Sequence, residues 1–215
     1  MMCCTTLLAL LLEEQKAREL ADKSVRHAAP TGDKYMQLLA EGVRHATKQD
    51  WHRAASSCRA AIALRPDEPV AYYNLGATLA NSGHPVEAAQ RYLEAKERYQ
   101  VGSEMWAQAT ARVFKSLAQE ACAEVAKPDW WNDEGLKALS ARVVRAAPDD
   151  GSAHQMRAMV LTGQDAAWEA GPRSAAELTE AATHYERAAV LAPAPMAKAS
   201  LAGNADCCRR LAEAM

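Results

Sequence analysis

A pattern of large and small side chains that recurs after 34 residues is the feature that most constrains this sequence. Between positions 69 and 99, two apolar helical stripes flank the break at Asn81-Ser82-Gly83. The stripes consist of Tyr72, Leu75, Gly76 and Leu79, and then of Ala88, Tyr92 and Ala95. A step of 34 residues towards the N-terminus recovers Leu38, Gly42, Ala54, Cys58 and Ala61 at the corresponding positions. A fixed interval of this length predicts helical hairpins that stack on one another.

The pattern resembles the tetratricopeptide repeat (TPR), a 34-residue helical hairpin whose packing needs large and small residues at fixed places. Pro66 closes the first hairpin where this family has a proline, and Trp51 stands where it usually has an aromatic residue. Glu41 departs from the family pattern because it replaces the usual leucine before the glycine. The resemblance covers most of the chain and implies a fold, but it implies little about function.

The resemblance implies an all-α fold, a right-handed TPR-type α-solenoid of four helical hairpins. The hairpins are expected at residues 33–66, 69–102, 103–148 and 151–194. An N-terminal flanking helix is expected over residues 1–32 and a C-terminal capping helix over residues 195–215. Such caps are needed because an end repeat otherwise leaves an apolar face in water.

The third and fourth hairpins carry insertions between their two helices. In the third, an apolar stripe continues past Phe114 through Leu117, Cys122 and Val125, which predicts an overlong first helix that runs to about Lys127. Pro128-Asp129 is expected to break this helix and start the return helix. In the fourth, the extra residues lie at about 163–173, and Ser174 followed by Glu177 predicts a capped helix start.

Composition favours a helical protein without a nucleic-acid partner. Hydrophobic residues make up 49% of the chain but include one Phe, which favours helices packed at close range. The net charge is −2, and no basic stripe of the kind that binds nucleic acid is present. The six cysteines form no Cys-x-x-Cys motif, so reduced thiols and a cytoplasmic location are expected.

The apolar N-terminal segment before Glu13 is too short to span a membrane. It lacks the basic region and the small-residue cleavage site of a signal peptide. A targeting role for this segment is the alternative to a cytoplasmic protein.

No sequence motif points to catalysis, a cofactor or a metal. The chain lacks His-Glu-x-x-His, a Gly-rich phosphate loop, Gly-x-Ser-x-Gly and any cluster of Cys and His. The six histidines are scattered and are interpreted as structural or solvated. A non-enzymatic protein without cofactors is therefore expected.

The resemblance implies a concave groove lined by the first helix of each hairpin. The family's groove positions correspond here to Met36, Leu39 and Val43, to Val70, Tyr73 and Ala77, to Ala107, Ala111 and Phe114, and to Gln155 and Met159. An apolar lining of this kind predicts an interaction site for a helix or peptide of a partner protein. The function expected is that of an adaptor or scaffold.

Two other functions stay open at this point. The N-terminal helix could fill the groove, which would leave a structural or oligomeric role and an undetermined oligomeric state. The chain could also be the regulatory TPR portion of a larger enzyme or co-chaperone.

One known TPR activity, the grip on the acidic C-terminus of heat-shock chaperones, is not expected. Asn74 matches one of the five residues that the resemblance requires for this carboxylate clamp. The other four positions hold Leu39, Val43, Glu104 and Gln108, which cannot neutralise two carboxylates.

Both insertions lie between the first and second helices of their hairpins, so they are expected to emerge from the same edge. This places Trp130, Trp131 and Trp168 on neighbouring protrusions. Tryptophan is enriched at interfaces, so the three residues could form a recognition patch at this edge. Alternatively, they fold back and cover the apolar stripe between Leu117 and Val125.

Overall fold

The computed structural model describes residues 32–163 and 167–215 of the chain. All regular structure in these two ranges is helical, so the predicted all-α fold is confirmed for them. The predicted N-terminal flanking helix lies outside the described residues. The chain divides into two compact units, of which the first ends at Arg98 and the second spans Tyr99–Met215.

The first unit contains two helical hairpins. Its helices are α1 (Lys34–Thr47), α2 (Trp51–Leu64), α3 (Pro69–Asn81) and α4 (Pro85–Arg98). Helix α1 packs against α2, α3 packs against α4, and α2 packs against α3. The two hairpins therefore pack against each other through α2 and α3.

Local signals start the helices of the first unit. The Asp33 carboxylate accepts a hydrogen bond from the Tyr35 amide at 3.0 Å, and Asp50 accepts one from the Arg53 amide at 3.2 Å. These bonds satisfy amides that the first helical turn leaves without a partner. A proline begins α3, where its missing N–H costs no hydrogen bond.

The Pro66 carbonyl between the two hairpins is held by two side chains. The Tyr72 hydroxyl donates to it at 2.9 Å, and the Arg98 guanidinium donates to it at 3.0 Å. The same guanidinium lies 4.2 Å above the Tyr72 ring, a cation–π contact. These contacts tie the end of α4 to the connection between α2 and α3.

Close approach of α3 and α4 depends on Gly76. A Cβ atom at this position would lie 2.9 Å from the nearest carbon of the Tyr92 ring, inside van der Waals contact. Tyr92 is buried and its ring also meets Tyr73 edge-on at 5.5 Å between centroids. The ring therefore has little freedom to move away.

The second unit contains five α-helices and one 3₁₀ turn in its described part. They are α5 (Glu104–Leu117), the 3₁₀ turn (Glu120–Cys122), α6 (Asp133–Ala146), α7 (Gly151–Thr162), α8 (Ala175–Leu191) and α9 (Pro195–Glu213). Helix α9 packs against α8 and buries Leu201, Ala205 and Cys208. The predicted capping box is confirmed, because Ser174 and Glu177 exchange both hydrogen bonds at the start of α8.

The prediction of an overlong first helix in the third hairpin is wrong. Helix α5 ends at Leu117, and the backbone is extended at Gln119. The return helix α6 begins at Asp133 with Asn132 as its cap, later than the predicted start at Pro128-Asp129.

The apolar periodicity past Leu117 reflects burial and not helix. Leu117 and Cys122 are both fully buried, although the helix has ended between them. The Lys127 ammonium donates to the carbonyl oxygens of these two residues at 3.0 and 2.6 Å. It thereby satisfies acceptors that the interrupted helix leaves open.

An ion-pair network holds the end of the second insertion against the hairpin helices. The Arg173 guanidinium donates to the Asp133 carboxylate at 2.9 Å and to the Val160 carbonyl at 3.0 Å. The Lys137 ammonium lies 3.2 Å from Asp133 and 2.7 Å from Glu177. The network therefore connects α6, α7 and α8.

We expect Gly76→Ala to destabilise the first unit by about 1–2 kcal/mol, because overpacking against the Tyr92 ring outweighs the gain in helix propensity. Gly203→Ala is the matched control, since its Cβ would meet no atom within 4 Å on α9. That change should be neutral or stabilise the second unit by up to about 1 kcal/mol. Calorimetric unfolding of both variants measures the difference; equal effects of the two alanines would contradict the packing role of Gly76.

The ion-pair network should make the second unit sensitive to acid. Hydrogen bonds from Lys137 and the Ser174 backbone lower the pKa of Glu177 to about 2, and the Arg173 guanidinium holds the pKa of Asp133 well below its usual range. Carboxylates with depressed pKa values stabilise the fold above their unfolded pKa of about 4, and this contribution is lost as the pH falls through the folded values.

We therefore expect the melting temperature of the second unit to fall steeply between about pH 4.5 and pH 2. In Arg173→Met the fall should be shallower, because Asp133 then loses its main partner. Circular dichroism melts across this range measure the effect; an unchanged slope in Arg173→Met would contradict it.

Candidate functional site

The groove positions of the first unit remain accessible on α1 and α3. Met36 is 44% exposed, and Val43, Val70, Tyr73 and Ala77 are half-buried. Leu39 differs, since it is buried in the core formed with Tyr35, Leu38, Ala61 and Ala71. Leu39 therefore serves the packing of the hairpins and is not part of the accessible surface.

A cavity of about 310 Å³ opens on this surface between α1 and α3. Two of the predicted groove residues, Val43 and Ala77, line it. The other lining residues are Gly42, Ala46, Thr47, Trp51, Cys58, Asn74, Thr78 and Asn81. We call this cavity the first-unit pocket.

The first-unit pocket carries no charge. None of its lining side chains is ionised near neutral pH, and α3 contains no charged residue along its entire length. Burial raises the pKa of the Cys58 thiol to about 11, so it stays protonated and is a poor nucleophile. The chemistry that this surface offers is apolar contact, with the Asn74 and Asn81 carboxamides as hydrogen-bonding groups.

The groove positions of the third hairpin lie in the core of the second unit. Ala107, Ala111 and Phe114 are at most 2% exposed. The Phe114 ring packs against Trp131 and Trp168, with centroids 5.5 and 5.7 Å apart. The two insertions thus supply the side chains that occupy this face.

The three tryptophans do not form an exposed patch. Trp131 and Trp168 are each 8% exposed, and the Trp131 indole donates to the Ala167 carbonyl at 2.9 Å. Trp130 is half-buried beside Trp131, at 5.7 Å between ring centroids. Leu117 and Cys122 of the apolar stripe are also fully buried.

The fourth hairpin offers a weaker surface. Gln155 and Met159 are both half-buried on α7, and Met159 packs against the core of α7, α8 and α9. Glu104 lies at the start of α5 and is exposed; it stands at one of the five positions of the carboxylate clamp.

In residues 32–163 and 167–215, no group of three or more His, Cys, Asp or Glu side chains could hold a metal ion. No helix within these same ranges is long and apolar enough to cross a membrane.

The sequence analysis missed several pocket residues. The sequence places Trp51 at an aromatic position of the repeat and Asn81 in the break between two helices, whereas both residues line the first-unit pocket. One signal could have found Asn81, because it lies seven residues after Asn74 and therefore on the same helical face. No sequence signal shows that Trp51 reaches the groove, since this depends on how α2 packs behind α1.

Comparison with known proteins agrees with this architecture. A model of the tetratricopeptide repeat family matches residues 57–90, from the middle of α2 into α4. The crystal structure of MamA protein is similar, with a TM-score of 0.54 and 15% identity over 85% of this chain and 88% of that one. The crystal structure of YrrB, a TPR protein with an unusual peptide-binding site, gives a TM-score of 0.49 and 17% identity over 90% and 86%. The search of curated proteins gave no match.

The fold defines the class of protein as an α-helical hairpin repeat protein of the α-solenoid type. The tetratricopeptide repeat model matches the segment from α2 into α4, where the sequence pattern resembles the same repeat.

We expect Trp168→Ala to destabilise the second unit by about 3 kcal/mol, because it removes a buried aromatic side chain from the Phe114 ring. The pocket of the first unit should be unaffected. Trp130→Ala, at a half-buried position, is the control and should cost about 1 kcal/mol. Urea unfolding, monitored by near-ultraviolet circular dichroism, measures the free energy of unfolding of both variants. Equal losses of stability would contradict a stabilising role of the Trp168–Phe114 contact.

Proposed function

We propose that the first unit holds an apolar helix or peptide of a partner protein in the groove between α1 and α3, and that the protein acts as a non-enzymatic adaptor or scaffold. The observation that carries this proposal is the uncharged first-unit pocket of about 310 Å³, on helices that also carry exposed Met36 and half-buried Tyr73. An apolar concave surface of this kind suits helix-in-groove recognition.

The size of the pocket limits what enters it. Its volume lies at the lower end of the range of small-molecule sites, about 300–1,000 Å³. We infer that it takes one large apolar side chain of the partner, while the rest of the segment lies along Met36, Val70 and Tyr73. Full burial of one such side chain contributes about 2–3 kcal/mol, so affinity has to come from the whole groove.

The neutral lining leads to a prediction about salt. A segment held by apolar contacts gains little from long-range charge attraction, so its dissociation constant should change little between low and moderate ionic strength. A carboxylate clamp would weaken strongly under the same change.

The proposal is tested by co-purification mass spectrometry from the native source with Ala77→Arg and with Ala60→Arg. Ala77 lines the pocket, whereas Ala60 is exposed on α2 outside the pocket lining. We expect the pocket variant to lose its partner by at least about tenfold, because a buried unpaired charge costs several kcal/mol, and the control to keep it. Equal capture by both variants would overturn the groove assignment.

Trp51 provides a direct signal, because it is the sole tryptophan before Trp106 and lines the pocket. With 5-fluorotryptophan incorporated, the Trp51 resonance, assigned by Trp51→Phe, should shift on addition of the partner segment. The resonances of Trp131 and Trp168 should not move. A shift confined to these two residues would assign binding to the second unit instead.

Filling of the groove by the protein's own N-terminal segment predicts a different result. Deletion of residues 1–30 would then shift the Trp51 resonance in the absence of any partner. If the resonance stays in place after deletion, the groove is open to partners in the full chain.

A further inference from the structure

Two histidines of the fourth hairpin form a direct contact that the groove does not use. His154 on α7 is buried, and His184 on α8 is half-buried. Their Nδ1 atoms lie 2.8 Å apart, and the Nε2 atom of His154 lies 2.9 Å from the Pro148 carbonyl oxygen. We call these two residues the histidine pair.

The positions of the protons in the histidine pair follow from its partners. A carbonyl oxygen can only accept a hydrogen bond, so the His154 Nε2 atom carries a proton. In a neutral ring its Nδ1 atom is then an acceptor, and the His184 Nδ1 atom donates to it. One proton lies between the two rings. The His184 Nε2 atom is then the ring nitrogen that still has a lone pair available for a further proton.

This arrangement can take up one further proton but not two. A proton on the His184 Nε2 atom leaves the bond between the rings intact. A proton on the His154 Nδ1 atom would place two N–H groups head to head at a separation of 2.8 Å, so the contact would have to open.

We propose that the histidine pair makes the α7–α8 hairpin pH-responsive, so that mild acid opens the contact between these helices. In the unfolded chain both rings accept protons independently, whereas the folded pair accepts at most one. Because the opened hairpin binds one proton more than the closed hairpin, a lower pH favours opening.

The charged groups that shift the pKa of His184 lie on α7 and α8. From α8, the Glu180 carboxylate lies 3.6 Å from the His184 Nε2 atom and favours its protonation. From α7, the Arg157 guanidinium opposes it, and it binds the same Glu180 oxygen at 2.8 and 3.0 Å. On α6, Lys137 is paired with Glu177, and on α9, Arg209 is paired with Glu186, so neither is a free charge towards the pair.

Burial and the neighbouring His154 ring lower the pKa of His184 from its ordinary value, and Glu180 offsets this only in part. For a base with a depressed pKa, the stabilising contribution is complete above the unfolded pKa of about 6.5 and is lost as the pH falls below it. Each excluded proton raises the opening equilibrium constant by up to about tenfold per pH unit below this value.

The chain offers a matched variant for the test. Tyr72 occupies the repeat position of His154, and its hydroxyl donates to the Pro66 carbonyl six residues earlier, as His154 donates to Pro148. His154→Tyr therefore keeps the carbonyl contact and removes one imidazole. His184→Gln, combined with it, removes the other and leaves a polar side chain at the half-buried position.

Hydrogen exchange of α7 and α8 amides in the full chain, expressed as protection factors, measures the opening. From pH 6.5 to pH 5.0 we expect protection in the wild type to fall at least about tenfold more than in the double variant. The chain's remaining four histidines are present in both proteins and cancel. Equal pH dependence in the two proteins would overturn the proposal.

Nitrogen-15 spectra of the wild-type histidine rings give a second measurement that needs no variant. We expect at most one of the two rings to carry protons on both nitrogen atoms between pH 7.5 and pH 5 in the folded protein. Two fully protonated rings in a folded α7–α8 hairpin at pH 5 would overturn the one-proton limit.

Discussion

The close approach of paired helices, which a missing Cβ atom allows, is the constraint on which the first unit depends. At Gly76 a Cβ would collide with the Tyr92 ring, and at Gly42 it would lie 3.2 Å from the Cys58 sulfur. The two contacts are one repeat apart, but Cys58 is much smaller than Tyr92 and forms part of the wall of the first-unit pocket. The same glycine contact occurs in both hairpins with partner side chains of different size, and it provides close packing in one and part of the cavity wall in the other.

In the second unit, the groove positions of the third hairpin are buried in the core. Phe114 stands at a groove position of the repeat, yet Trp131 and Trp168 pack on it from the two insertions. The insertion before α8 is itself held by Arg173, whose guanidinium bonds Asp133 at the start of α6. Burial of these large rings removes apolar area from water, which favours an internal cover over an exposed patch. The proposed interaction site lies in the first unit for this reason.

Signals that act within a few residues were predictable from the sequence. Ser174 and Glu177 form their capping box, and Asp150 caps α7 through the Ala153 amide at 2.8 Å. The apolar stripe past Phe114 was a different case, because periodicity records which residues are buried and not which bonds the backbone makes. Leu117 and Cys122 are both buried, but the helix ends at Leu117, and the Lys127 ammonium donates to the carbonyl oxygens of both residues in the path that the chain takes instead.

The sequence by itself determined the all-α fold and the repeat, because the 34-residue interval between large and small residues can be recognised along the chain. Only the tertiary structure decided which groove positions stay open. Leu39 and Val43 both count as groove residues in the repeat, but Leu39 is in the core and Val43 lines the pocket. The same holds for His154 and His184, which lie 30 residues apart and meet only when α7 packs on α8. Contacts between distant residues depend on side-chain sizes across the helix interface, and no local pattern specifies them.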